Sequence, residues 1–120
     1  MEQPLLFDGA FGTYYDSMMS AEEKTGYPEL ANLKDPEMVL RIHREYIESG
    51  ARAIKTNTYG ANSRLTTEPQ VLRKVLINGY TLAPQAAEGK NIQVFADIGP
   101  VPEERAAEEY SAIAAVFLEM

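Results

Sequence analysis

The stretch YPELANLKDPEMVLRIHREYIESGARAIKTNTYGAN, residues 27–62, decides the fold. Asp35 stands at a helix N-cap, where its carboxylate can accept a bond from a first-turn amide that has no partner in the helix. Pro36 takes the first helical position, where a missing N–H costs nothing. Met38, Val39, Ile42, Tyr46 and Ile47 recur every three or four residues, with Arg41, Arg44, Glu45 and Glu48 opposite, so one face is buried and the other wet. Gly50 stops the helix, because the residue just past a helix end often needs a left-handed backbone. Ala53 to Tyr59 then starts an extended segment whose polar end is Asn57-Thr58. A helix feeding a strand through so short a loop belongs to repeated βα architecture.

Working outward, the same punctuation recurs. Pro4 to Phe7 is a short apolar run broken by Asp8 and Gly9, which reads as a strand ending in the turn DGAFGT. Gly9 and Gly12 leave backbone amides open to a ligand carboxylate, although an ordinary glycine turn has the same composition. Tyr14 to Gly26 has helical composition with weak periodicity and reads as a short helix or a loop. Thr67-Glu68-Pro69 opens a second helix, with Val71, Leu72, Val75, Leu76, Tyr80 and Ala83 as its buried stripe. Pro84 predicts a kink or break near Ala83. Ile92 to Asp97 is a third strand, turned at once by Ile98-Gly99-Pro100. Pro102 and Glu103 open a third helix, with Ala106, Tyr110, Ile113, Ala114 and Phe117 along one side.

The order is therefore strand, helix, strand, helix, strand, helix. Right-handed crossovers put the three polar strand ends, Asp8-Gly9, Asn57-Thr58 and Asp97 to Pro100, on one rim. In parallel α/β folds ligands gather at that rim. Asn57 and Thr58 either cap their strand or line such a site.

Size and composition bound the rest. A chain of 120 residues fits one domain with a real core, and a formal net charge of −7 argues against nucleic acid or an anionic membrane as partner. The sequence has no cysteine, so it offers neither a disulfide framework nor a thiolate metal site. No segment reads as a secretory signal or a membrane span, which makes a soluble cytoplasmic protein the expectation. His43, the single histidine, lacks the partners that a zinc site requires and is expected to be partly exposed. Lys55 either binds an anion or, as expected, lays its stem past apolar neighbours, and Glu103, Glu104, Glu108 and Glu109 are expected to form the solvated face of the last helix.

DGAFGT at 8–13, PELANLKDPEMVLRIHREYIESGA at 28–51, KTNTYGAN at 55–62 and ADIGP at 96–100 resemble, in order and spacing, the homocysteine S-methyltransferases. The likeness is closest to the homocysteine-binding barrel of bacterial methionine synthases and of bifunctional enzymes that add a methylenetetrahydrofolate reductase. It implies an α/β fold, the N-terminal part of a (β/α)8 TIM barrel comprising about three βα units. It also implies an enzyme that transfers a methyl group to the zinc-activated thiol of homocysteine, giving methionine. Zinc would be held by three cysteine thiolates on late strands, all absent from residues 1–120, and a complete barrel takes about 250 residues. The methyl donor, whether a cobalamin, a folate or a sulfonium compound, is not named by the sequence.

Carried onto this sequence, the resemblance implies that Asp8, Gly9 and Ala10 contact the amino-acid end of homocysteine. Asn57 and Thr58 would line the same pocket, Tyr59 would pack beside the substrate, and Asp97 and Gly99 would shape the rim. No catalytic residue is assigned. The expected partners are homocysteine and the complementary C-terminal part of the barrel, and open sheet edges favour self-association. The segment alone is expected to be inactive. The competing reading is a non-catalytic α/β module, derived from such a barrel, that binds amino-acid-like ligands or assembles with a second chain.

Overall fold

Three parallel extended segments lie side by side with helices packed on one face. The structure is a computed structural model and describes residues 4–20 and 26–120. The strands are β1, Ala53–Lys55, and β2, Gln93–Phe95, paired in parallel with Ile54 opposite Val94. The expected first strand is reduced to a parallel bridge between Phe7 and Ala53, on the other side of β1. Two hydrogen bonds hold it there, from Asp8 N to Ala53 O at 3.0 Å and from Ala53 N to Leu6 O at 3.1 Å. The spatial order is therefore the sequence order, with β1 in the middle.

Among the described residues five α-helices connect and follow these segments: α1 Phe11–Met18, α2 Ala31–Lys34, α3 Pro36–Glu48, α4 Pro69–Ala86 and α5 Ala106–Leu118. Helix α3 is capped as the sequence predicts, with the Asp35 side chain accepting from Met38 N at 3.3 Å, and Gly50 after it has φ +117°. Helix α4 continues through Pro84 to Ala86 and is not broken at Ala83. Proline there removes one bond two residues before the end, where the helix is about to stop anyway. Helix α5 starts at Ala106, after a 3-10 turn at Glu103–Arg105. Its fully buried residue is Ile113, and the predicted stripe residue Tyr110 is exposed. The reading of residues 14–26 as helix or loop resolves into α1, which starts earlier, at Phe11; residues 21–25 lie outside the described residues.

His43 is not at the surface. It is fully buried on α3, its ring 5.2 Å from that of Phe11. The position follows from the helix itself, since 43 lies four residues from both Val39 and Ile47 and shares their inward face. Alternation along the strands sorts the remaining side chains. Ile54 and Val94 join the core with α3 and α4. Phe7 and Phe95 stay 43% and 40% exposed, and their rings meet 5.1 Å apart on the sheet face away from the helices. Among the described residues no helix is long and apolar enough to cross a membrane.

Candidate functional site

The three segment ends open into one cleft of about 630 Å3. Asp8, Gly9 and Ala10 line it from the first segment, Lys55 to Gly60 from the end of β1, and Asp97 from beyond β2. The start of α1, at Phe11 to Thr13, and the loop Tyr27 to Glu29 close it. Seven of the eight residues expected at the site therefore border one space. Gly99 stands behind it, its N–H donating to Tyr59 O at 3.1 Å and its missing side chain leaving room for the Tyr59 ring and carbonyl.

The end of β1 is held by a polar interlock. Thr58 Oγ1 donates to Asp97 O at 2.6 Å, and Thr56 Oγ1 accepts from Asp97 N at 3.1 Å. The two hydroxyls lie 2.6 Å apart. Each hydroxyl has one proton, and that of Thr58 goes to Asp97, so the Thr56 proton must go to Thr58. The ladder between β1 and β2 is thus continued by side chains after its backbone bonds end. Asn57 works in the other direction. Its amide donates to Pro28 O and to Asn32 Oδ1, both at 3.0 Å, while the Asn32 amide donates to Asn57 O at 2.8 Å and Val75 O at 3.0 Å. Buried polar groups require such partners, and here they lock the 27–34 loop and α4 onto the strand end. Asn57 and Thr58 therefore hold the frame of the cleft with the groups that the sequence reading had offered to a ligand. Glu29, buried at the edge of the cleft, adds a bond from Gly60 N at 3.0 Å.

Asp8 is different. Its side chain is 1% exposed, and Oδ2 accepts from Lys55 N at 3.2 Å. Oδ1 is buried with no hydrogen-bond partner among the described residues, and the Lys55 ammonium faces it at 3.5 Å. That separation is an ion pair longer than the 2.7–2.9 Å of a charge-assisted hydrogen bond, so it leaves bonding capacity on both partners. Burial raises the Asp8 carboxyl above its ordinary value, while the bonds and charge of Lys55 pull it back. Asp97 is likewise raised by burial and opposed by the Lys55 charge. One lysine thus balances two desolvated acids. Gly9 is small for a steric reason: a Cβ there would meet Tyr46 Oη at 2.9 Å, and that hydroxyl donates to Ala10 O at 3.2 Å beneath the turn.

Lys55, Thr56, Glu29 and Asn32 belong to this arrangement and were not assigned to it from sequence. A usable signal existed for Lys55, since it shares its strand face with Ala53 and not with the core-facing Ile54. Among the described residues no group of three or more His, Cys, Asp or Glu side chains is placed to hold a metal ion. His43 is not among the residues that border the cleft. The zinc that the resemblance implies thus finds no donor set in these residues.

The family model described as homocysteine S-methyltransferase matches residues 5–119. The chain belongs to the homocysteine S-methyltransferase family. Among individual members, homocysteine S-methyltransferase 1 of Brassica oleracea var. italica is 35% identical over 54 residues, which are 45% of this chain and 17% of that protein. Methionine synthase of Mycobacterium tuberculosis is 34% identical over 65 residues, 51% of this chain and 6% of that protein. The crystal structure of the homocysteine methyltransferase MmuM from Escherichia coli, metallated form, superposes with a TM-score of 0.78 at 17% identity, over 98% of this chain and 51% of MmuM. Its oxidized form gives 0.66 at 20% identity, over 92% of this chain and 39% of MmuM. At these identities the structural likeness establishes the fold: the chain has the α/β architecture of part of a TIM-barrel methyltransferase and spans about half the length of the MmuM structure.

Proposed function

We propose that this chain supplies the part of a homocysteine S-methyltransferase barrel that holds the amino-acid end of homocysteine, with residues 1–120 as its first three βα units. The observation that carries this reading is the buried Asp8 Oδ1, ion-paired with Lys55 but without a hydrogen bond among the described residues, in a cleft formed where three parallel segments end. Backbone amides at the start of α1 add further donors there, because the first turn of a helix leaves its N–H groups without intrahelical partners. Tyr59, 57% exposed, offers a ring to the rest of the substrate. Asp97 and Gly99 shape the rim, the latter by leaving space for the Tyr59 carbonyl and ring.

Family enzymes named for this activity transfer a methyl group to the homocysteine sulfur. In this reading the chain binds and orients the amino acid, and the zinc and methyl donor are held by residues outside it. Calorimetric titration of the 120-residue chain with homocysteine, with and without zinc, tests the reading. Weak binding that zinc does not change supports it. Tight, metal-independent binding instead supports a non-catalytic amino-acid-binding module, and no binding at millimolar ligand removes the assignment of the cleft.

A further inference from the structure

Four charged residues among those described line the cleft: Asp8, Lys55 and Asp97 at the strand ends, and Glu29 from the loop, whose carboxylate accepts from Gly60 N. The neighbouring polar groups of β1 are already engaged, Asn57 with Pro28 and Asn32, and Thr56 and Thr58 with Asp97. Beside the Asp97 carboxylate there remain, among the described residues, a buried Asp8 oxygen without a hydrogen bond and, 3.5 Å from it, an ammonium whose side chain is 38% exposed. An acceptor fixed in place beside a cation that reaches solvent matches the two ends of an α-amino acid zwitterion.

We propose that Lys55 is a specificity-determining residue of this cleft: its ammonium takes the α-carboxylate of the substrate while Asp8 Oδ1 takes the α-ammonium. The inference rests on the homocysteine reading for the identity of the ligand, but not for its class. Lys55 is held for the task at its base, because its own N–H is bonded to Asp8 Oδ2. Its long stem lets the ammonium swing from Asp8 to an incoming carboxylate, which leaves Asp8 Oδ1 to the incoming amine. The ligand thereby exchanges one long ion pair for two short charge-assisted contacts. A thiol with an amine and no carboxylate would leave Lys55 on Asp8 and gain little.

The test uses the 120-residue chain and its K55M, K55Q and K55R variants, titrated by NMR with L-homocysteine, with its decarboxylated analogue 3-aminopropane-1-thiol, and with L-methionine and L-alanine. The parent chain should bind homocysteine at least about tenfold more tightly than the aminothiol, the size expected of one charge-assisted contact. K55M and K55Q should lose about that factor for the α-amino acids but not for the aminothiol, whose amine then meets an Asp8 freed of its lysine. K55R should retain most of the preference. Amide spectra of K55Q and K55M that match the parent establish that the fold is intact; if K55M alone is altered, K55Q decides. Equal loss for both ligands, or no loss, overturns the proposal. Binding of methionine or alanine but not homocysteine, with the same dependence on Lys55, refutes the homocysteine reading and leaves this one standing. Failure of the parent chain to bind any α-amino acid overturns both.

Discussion

Acid should weaken this fold through one imidazole. His43 has no exposed surface, and neither ring nitrogen has a hydrogen-bond partner among the described residues. Burial lowers its pKa from 6.5 to about 4. Between those values the unfolded chain takes up a proton that the folded chain refuses, so stability falls as pH drops through the unfolded value and levels off below the folded one. A 2.5-unit difference corresponds to about 3.4 kcal/mol in full, of which about 2.4 kcal/mol is lost between about pH 7 and about pH 4.5. The perturbation is His43→Leu, which keeps an apolar side chain against Phe11 and removes the titration. Urea unfolding followed by circular dichroism at the two pH values gives the parent's loss minus the variant's. Asp8 and Asp97, raised by burial, act with the opposite sign, binding protons more readily when folded, but they are common to both proteins and cancel in the difference. A difference near zero would show that His43 gains a partner or charges without cost, and would refute the reasoning.

Other substitutions probe the frame. Thr58→Val removes the hydroxyl that joins Thr56 to Asp97 and should cost about 1–3 kcal/mol of unfolding free energy in urea titration, because Asp97 O and the Thr56 hydroxyl lose a partner. Gly79→Ala places a methyl 2.6 Å from Thr58 Cγ2 and 2.8 Å from Asn32 Nδ2. Overpacking should outweigh the helix propensity gained and destabilise by roughly 1–3 kcal/mol, read as a lower Tm by differential scanning calorimetry. Asp35→Ala removes the α3 cap and should cost about 1 kcal/mol by the same calorimetry, leaving amino-acid binding unchanged.

How legible the molecule was depended on whether a local rule settled the matter. Asp35, Pro36 and Gly50 bound α3 because capping and backbone preference act within a few residues. The convergence of Asp8, Asn57 and Asp97 followed from handedness, which needs only element order. His43 was misplaced because its residue type was weighed before its position, although the spacing from Val39 and Ile47 put it inside. The division of labour at the end of β1 was not legible. Asn32 finds Asn57 across 25 positions and Thr58 finds Asp97 across 39, and no periodicity announces such a match. The length of the strands was overread for a related reason: Pro4 to Phe7 has the composition of a strand, but only Phe7 forms a bridge.

The interlock at the end of β1 also sets which changes the cleft can survive. Between positions 55 and 59, three consecutive side chains act as rivets to neighbouring segments, while the two flanking them, Lys55 and Tyr59, are bound to nothing that shapes the fold beyond the Asp8 pair and the Gly99 contact. Tolerance to substitution should therefore be low at the centre of this pentapeptide, high at Tyr59, and limited at Lys55 by the buried charge of Asp8. A descendant of this chain could acquire a taste for a different small molecule by altering position 59 with its melting behaviour almost untouched, whereas a change at 55 would also leave the buried Asp8 without its cation.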